Sequence, residues 1–196
     1  MRRMKSVEEA KEIARRATMR IIRKTLGKYY LLWSTYPLAI GVLYILTPPS
    51  LLENPLPYIL TLIPYLTLTS YFFMDMGKKL RRYKELIGWK SRRRVSLLIV
   101  LMLAGFVMLV LGYEPGFNYL LILGLSLYTS TVDYYIYYTA SFARFRYYDL
   151  LTMVTFSISM FVWFLPLPYS EALYLVMSVV WIFSGYSSLS EVIEDV

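Results

Sequence analysis

The chain has no cysteine, no histidine and no glutamine, and only Asn54 and Asn118 carry a carboxamide. Lack of cysteine excludes disulfide and thiol chemistry. Lack of histidine removes the commonest acid–base catalyst near neutral pH, together with Ser-His nucleophiles and His-ligated metals. A shortage of thermolabile side chains beside abundant Tyr, Arg and Ile fits a heat-adapted organism, and a thermophilic archaeon is the expected source. No Walker-type phosphate loop, dinucleotide fingerprint or potassium-filter sequence occurs. Tyr148-Asp149 matches half of an intramembrane aspartyl-hydrolase pattern, but no glycine-flanked second Asp exists, so hydrolysis is rejected and Asp149 reads as a helix cap. The chain is expected to be non-enzymatic, with no catalytic residue, metal or cofactor.

What is present is apolar length. Hydrophobic residues make up 58% of 196 positions, above the roughly 45–50% of a soluble domain, and they gather in long runs. The runs predict an all-α polytopic integral membrane protein with spans at about 29–47, 57–76, 95–112, 117–138, 149–165 and 170–189, arranged as three hairpins. The six-helix domain at 29–190 then leaves no room for a folded soluble domain. All 21 Lys and Arg fall in three stretches, at 2–28, 78–94 and 144–146, whereas the connections at 48–57, 113–116 and 166–171 hold one acid each, Glu53, Glu114 and Glu171. Basic residues are retained in cytoplasmic loops, so both termini are expected inside a multi-pass plasma-membrane protein. The basic segment ahead of the first apolar run is too long for a cleavable signal peptide, and no small-residue cleavage pattern follows it.

The net charge of +8 is thus an inward-facing basic surface, for which anionic lipid headgroups are the default counter-charge and nucleic acid is not. Within residues 1–28, Ser6 and Glu9 have capping-box spacing, opening an amphipathic cytoplasmic or interfacial helix over 6–27. Val7, Ala10, Ala14, Ala17 and Ile21 give it a small-residue stripe, and Arg15, Arg16, Arg20, Arg23 and Lys24 crowd other faces. Ala buries little area, so this stripe suits close approach of another helix as much as a lipid surface. The basic loop 77–94 places Leu80, Tyr83 and Ile87 on one stripe, with Gly88 breaking before Trp89; Arg81, Arg82 and Arg92, with Arg15, Arg16 and Arg20 of the first helix, are candidate docking residues for lipid or a partner. The acidic tail 191–196, with Glu191, Glu194 and Asp195, is positioned to dock on these bases.

Within the spans, Asp133 is the strongest ionisable candidate, because an acid at membrane depth is a functional-site hypothesis by default. Helical spacing puts Ser126, Ser130 and Tyr137 near its face, giving an ion or substrate path; the competing reading pairs Asp133 with Arg144, Arg146 or an N-terminal base. Pro37 and Pro64 each remove a helical hydrogen bond near midplane and are candidate hinges, freeing the carbonyls of Trp33 and Leu60. Pairs at Tyr29-Tyr30, Tyr134-Tyr135, Tyr137-Tyr138 and Tyr147-Tyr148 predict an aromatic belt at the cytoplasmic boundary. Lys28-Tyr29-Tyr30 and Arg146-Tyr147-Tyr148 also hint at a repeat between the first and third hairpins.

In layout, the N-terminal interfacial helix, six spans, inside termini and basic helix between spans two and three resemble the transmembrane subunit of an export-type ABC transporter. The last outer loop, of about five residues, departs from that family by lacking re-entrant helices. The resemblance implies a non-enzymatic permease-like subunit whose expected partner is a cytoplasmic ATPase or another membrane subunit. Two other readings stay open: an oligomeric channel or carrier lined by Asp133 and the proline kinks, and a membrane scaffold with no transported substrate.

Overall fold

A computed structural model describes residues 2–48, 51, 56–83, 92–112, 118–161 and 170–194. The expected Glu114 turn, the Gly88 break, the proline-rich connection over 52–55 and the tail acid Asp195 lie outside them. All regular structure among the described residues is helical: α1 (Arg2–Ser34), α2 (Tyr36–Leu46), α3 (Leu56–Leu80), α4 (Arg92–Leu111), α5 (Asn118–Ser141), α6 (Tyr147–Phe161) and α7 (Ser170–Glu194). Two stretches, Leu56–Leu80 and Leu173–Glu194, are long and apolar enough to cross a membrane, and Ser96–Leu111 is a shorter apolar helix.

The N-terminal segment differs from expectation. A separate helix over 6–27 is replaced by one helix running through residue 28 to Ser34. Ser6 therefore lies inside α1 and not at its start. The continuity has a simple cause: α1 contains no proline and a single glycine, so nothing ends it before the region of Pro37. There Thr35 takes a turn, and Pro37 falls in the first turn of α2, where its missing N–H costs nothing. Ser34 Oγ and Thr35 Oγ1 donate to the carbonyls of Leu31 and Leu32, both at 2.7 Å, satisfying groups that the break would leave open. Pro64, by contrast, sits inside the unbroken α3.

The buried stripe of α1 also differs from the alanine stripe read from sequence. Ala14 is buried, but Ala10 is exposed; the inward set is Ala14, Thr18, Ile22, Leu26, Tyr29, Tyr30 and Trp33. This set packs chiefly on α7, so the first helix rests on protein along most of its length. The close approach is set by a glycine pair: a Cβ at Gly27 would lie 3.0 Å from the Gly185 carbonyl oxygen and 2.7 Å from Leu189 Cγ. The second hairpin, α4 with α5, uses the same device at Gly105 and Gly124. Small residues at helix contacts are the usual route to tight packing where lipid offers no hydrophobic contrast.

Tyr29 and Tyr30 are core residues, not belt residues. At 7% and 0% exposure they stand with Trp33, Phe156 and Trp181 where α1, α3, α6 and α7 converge. Tyr29 meets Phe73 edge-on at 5.5 Å, Phe73 meets Tyr135 at 4.9 Å, and Tyr30 meets Trp181 at 5.9 Å. Such edge-to-face pairs contribute about 0.5–1.5 kcal/mol each beyond area burial. Tyr134, Tyr137 and Tyr147 remain exposed, as a belt requires, but Tyr148 does not.

Candidate functional site

The most strongly determined polar site joins α1 to the start of α6. Arg23 and Asp149 have side chains 3% and 0% exposed, and Arg23 Nη1 donates to Asp149 Oδ1 at 3.0 Å and Oδ2 at 2.8 Å. Arg23 Nε and Nη2 also donate to the Ala143 carbonyl at 3.2 and 3.1 Å, and Nη2 donates to the Arg144 carbonyl. Asp149 accepts further bonds from the Tyr30 hydroxyl at 2.8 Å and the Arg146 backbone N–H at 2.9 Å. The last bond agrees with the reading of Asp149 as a helix cap. It is the third residue of α6 and reaches back to the N–H preceding the helix, the acid half of a capping box.

Around this pair the bonding is dense. Glu191 on α7 forms ion pairs with Arg23 (Nε to Oε2, 3.2 Å) and with Arg146 (Nε to Oε1, 2.8 Å), so the expected docking of the acidic tail on basic elements occurs at this residue. Ser188 Oγ donates to the Arg23 carbonyl at 2.9 Å, and the guanidinium lies 5.2 Å from the centre of the Tyr148 ring. The second tyrosine of each triplet in the suspected repeat, Tyr30 and Tyr148, thus touches the same ion pair. Two charges removed from water are tolerated because nearly every donor and acceptor is met.

Sequence reasoning missed Arg23 as a partner because it was one base among many on a helix read as polar. A signal existed: Arg23 and Tyr30 are seven residues apart, two helical turns, with Leu26 and the buried Ile22 beside them.

Asp133 is half-buried on α5. Its Oδ2 accepts from Ser157 Oγ on α6 at 2.5 Å, and among the described residues Oδ1 finds no hydrogen-bond partner. The competing pairing with Arg144, Arg146 or an N-terminal base is not found among the described residues: Asp133 bonds to Ser157, and Arg146 is held by Glu191. Ser126 is half-buried, but Ser130 and Tyr137 are exposed, and Tyr137 packs on Phe145 at 5.3 Å, so the four do not converge.

The two prolines are brought together. Thr35 Oγ1 and the Tyr65 hydroxyl are 3.1 Å apart, Tyr36 and Tyr65 meet edge-on at 5.1 Å, and Trp33 Nε1 donates to Thr69 Oγ1 at 2.9 Å. The α1–α2 break thus abuts the residue following Pro64.

A basic cleft of about 310 Å³ opens beside the Arg23 pair, between the middle of α1, the 143–146 connection and the end of α7. Of the candidate docking residues, Arg16 and Arg20 line it. Arg15, Arg81 and Arg82 are on the surface elsewhere, and the Arg92 side chain lies outside the described residues. No protein-family model, curated protein or solved structure matches this chain.

Proposed function

We propose that the chain is the non-enzymatic membrane-embedded subunit of a transport complex, with six spans, both ends cytoplasmic, and a cytoplasmic partner such as an ATPase. The apolar exterior supports the membrane setting: Ile45 is 83% exposed and Val179 66%, with many other large hydrophobics open on α2 to α7. A chain in water does not leave such a surface uncovered. The reading of six spans is supported by the two long apolar helices and the shorter Ser96–Leu111, taken with the apolar runs of the sequence and the distribution of its basic residues.

The observation that carries the coupling reading is the form of α1. It is a continuous rod whose N-terminal turns are exposed over residues 8–13, whose middle is gripped by α7 and Asp149, and whose far end stops at the paired proline sites. Displacement of the exposed end is then delivered to the α2–α3 hairpin, since a packed helix moves as a rigid element. Arg81 and Arg82, exposed just beyond α3, offer a second contact. Replacing Arg81, Arg82 and Arg92 together by Gln is expected to abolish co-purification of the partner from native membranes without lowering expression. Unchanged co-purification would remove the docking role.

Asp133 favours a second reading, a self-contained channel or carrier. A carboxylate with one oxygen unmatched inside a helical bundle is where an ion or proton relay is built. On this reading Asp133→Asn changes ion or proton flux into liposomes at least severalfold; equal flux excludes the residue from the path.

A further inference from the structure

We infer that the cleft beside Arg23 is a binding site for a phosphate-bearing anion. Its walls carry five arginines, Arg16, Arg20, Arg23, Arg144 and Arg146, against two acids, Glu12 and Glu191. Asp149 neutralises Arg23 from behind, and the described lining holds more arginine than acid. Guanidinium groups present forked donors that match phosphate oxygens, and charge-assisted bonds of this kind are about twice as strong as neutral ones. The volume of about 310 Å³ admits a phosphate with an attached glycerol or sugar.

The backbone supports the assignment independently of charge. Arg144 is the one non-glycine residue with positive φ among the described residues, at 59°. That conformation is unfavourable for a residue with a Cβ and persists where surrounding contacts over-determine it. Here the contacts are the carbonyls of Ala143 and Arg144, both drawn onto Arg23. The consequence is that two arginines, Arg144 and Arg146, stand on the cleft wall opposite Arg16 and Arg20 of α1. Glu191 fixes Arg146 but is itself shared with Arg23, so the site keeps its positive balance. Strain is thereby spent at the one turn that brings the third basic stretch of the chain against the first.

Phosphate could arrive as a lipid headgroup or as a soluble phosphate compound, and the chemistry of recognition is shared. The test uses the full chain purified in a neutral detergent. Native mass spectrometry follows retention of phosphatidylglycerol against phosphatidylcholine, and thermal-shift titration follows inorganic phosphate and pyrophosphate. Wild type is expected to retain phosphatidylglycerol or to be stabilised by phosphate. The double variant Arg20→Gln/Arg144→Gln should bind roughly tenfold more weakly per guanidinium removed. Arg81→Gln/Arg82→Gln removes the same charge away from the cleft and should bind as wild type does. Should the Arg144 variant fail to fold, Arg16→Gln/Arg20→Gln replaces it, since both residues lie on α1 outside the buried pair. Retention of the lipid without a response to free phosphate identifies the headgroup as the source; a response to free phosphate identifies a soluble ligand. Absence of both, or equal weakening by the Arg81/Arg82 control, overturns the site.

Discussion

Asp149→Ala is expected to lower the unfolding free energy by about 3–5 kcal/mol, the usual cost of stripping one partner from a buried ion pair. The size follows from what remains. Arg23, 3% exposed, keeps its charge while its Nη1 loses both of its bonds. The Tyr30 hydroxyl and the Arg146 N–H lose their acceptor at the same time. The triple variant Arg23→Met/Asp149→Leu/Tyr30→Phe should recover most of the loss, because no orphaned charge survives in it, although the Ala143 and Arg144 carbonyls still lose their donor. Glu191→Ala should cost much less, about 1 kcal/mol or under, since Glu191 is 26% exposed and Arg146 45%. Unfolding by sodium dodecyl sulfate in mixed micelles ranks the three. A midpoint for Asp149→Ala equal to wild type would show that water or another acid takes the place of Asp149.

Gly124→Val is the second large effect, and it acts through shape alone. A Cβ at Gly124 would lie 2.7 Å from the Leu109 backbone nitrogen and 2.9 Å from the Gly105 carbonyl oxygen, and one at Gly105 would lie 2.9 Å from the Tyr128 nitrogen. Backbone cannot swing aside as a flexible side chain can, so α4 and α5 must separate along the contact. The cost is about 1–3 kcal/mol or somewhat more, with the second hairpin loosened first. Gly41 on α2 is the internal control: a Cβ there meets nothing within 4 Å. Gly41→Ala should gain about 0.5–1 kcal/mol through the helix preference of alanine. Similar midpoints for the two variants in the same denaturant titration would refute close backbone packing at Gly124.

The contrast between these two sites marks what the sequence discloses. Long apolar runs bounded by basic clusters locate the helices, because hydropathy is summed over about 20 residues and survives local detail. The hairpin between α4 and α5 follows from the short interval between them. Arg23 and Asp149 escaped because each has a complete local explanation, as one base of a polar face and as a helix cap. Their joint meaning appears only when residues 126 positions apart touch. The tyrosine pairs misled for a related reason. An amphipathic ring reads as interfacial from sequence, yet Tyr30 buries its ring on Trp181 and gives its hydroxyl to Asp149, which suits the same chemistry equally well. The alanine stripe of α1 was displaced because Ala10 lies on the exposed N-terminal turns, while the buried stripe continues past residue 28 to Tyr29 and Trp33.

The pairing of α1 with α7 also fixes an order of events during synthesis. Arg23 leaves the ribosome 126 residues ahead of its partner Asp149, with Glu191 later still. Until then the guanidinium must stay in water or against headgroups, and the aromatic seat of Tyr30 lacks Trp181. The first helix can form early but is locked only once α7 has followed, so the fold closes as a clasp rather than growing helix by helix. Its assembly rate is then governed by the longest-range contact in the bundle. A chain halted before α7 would carry an unsealed basic surface, a form that quality-control proteases can recognise.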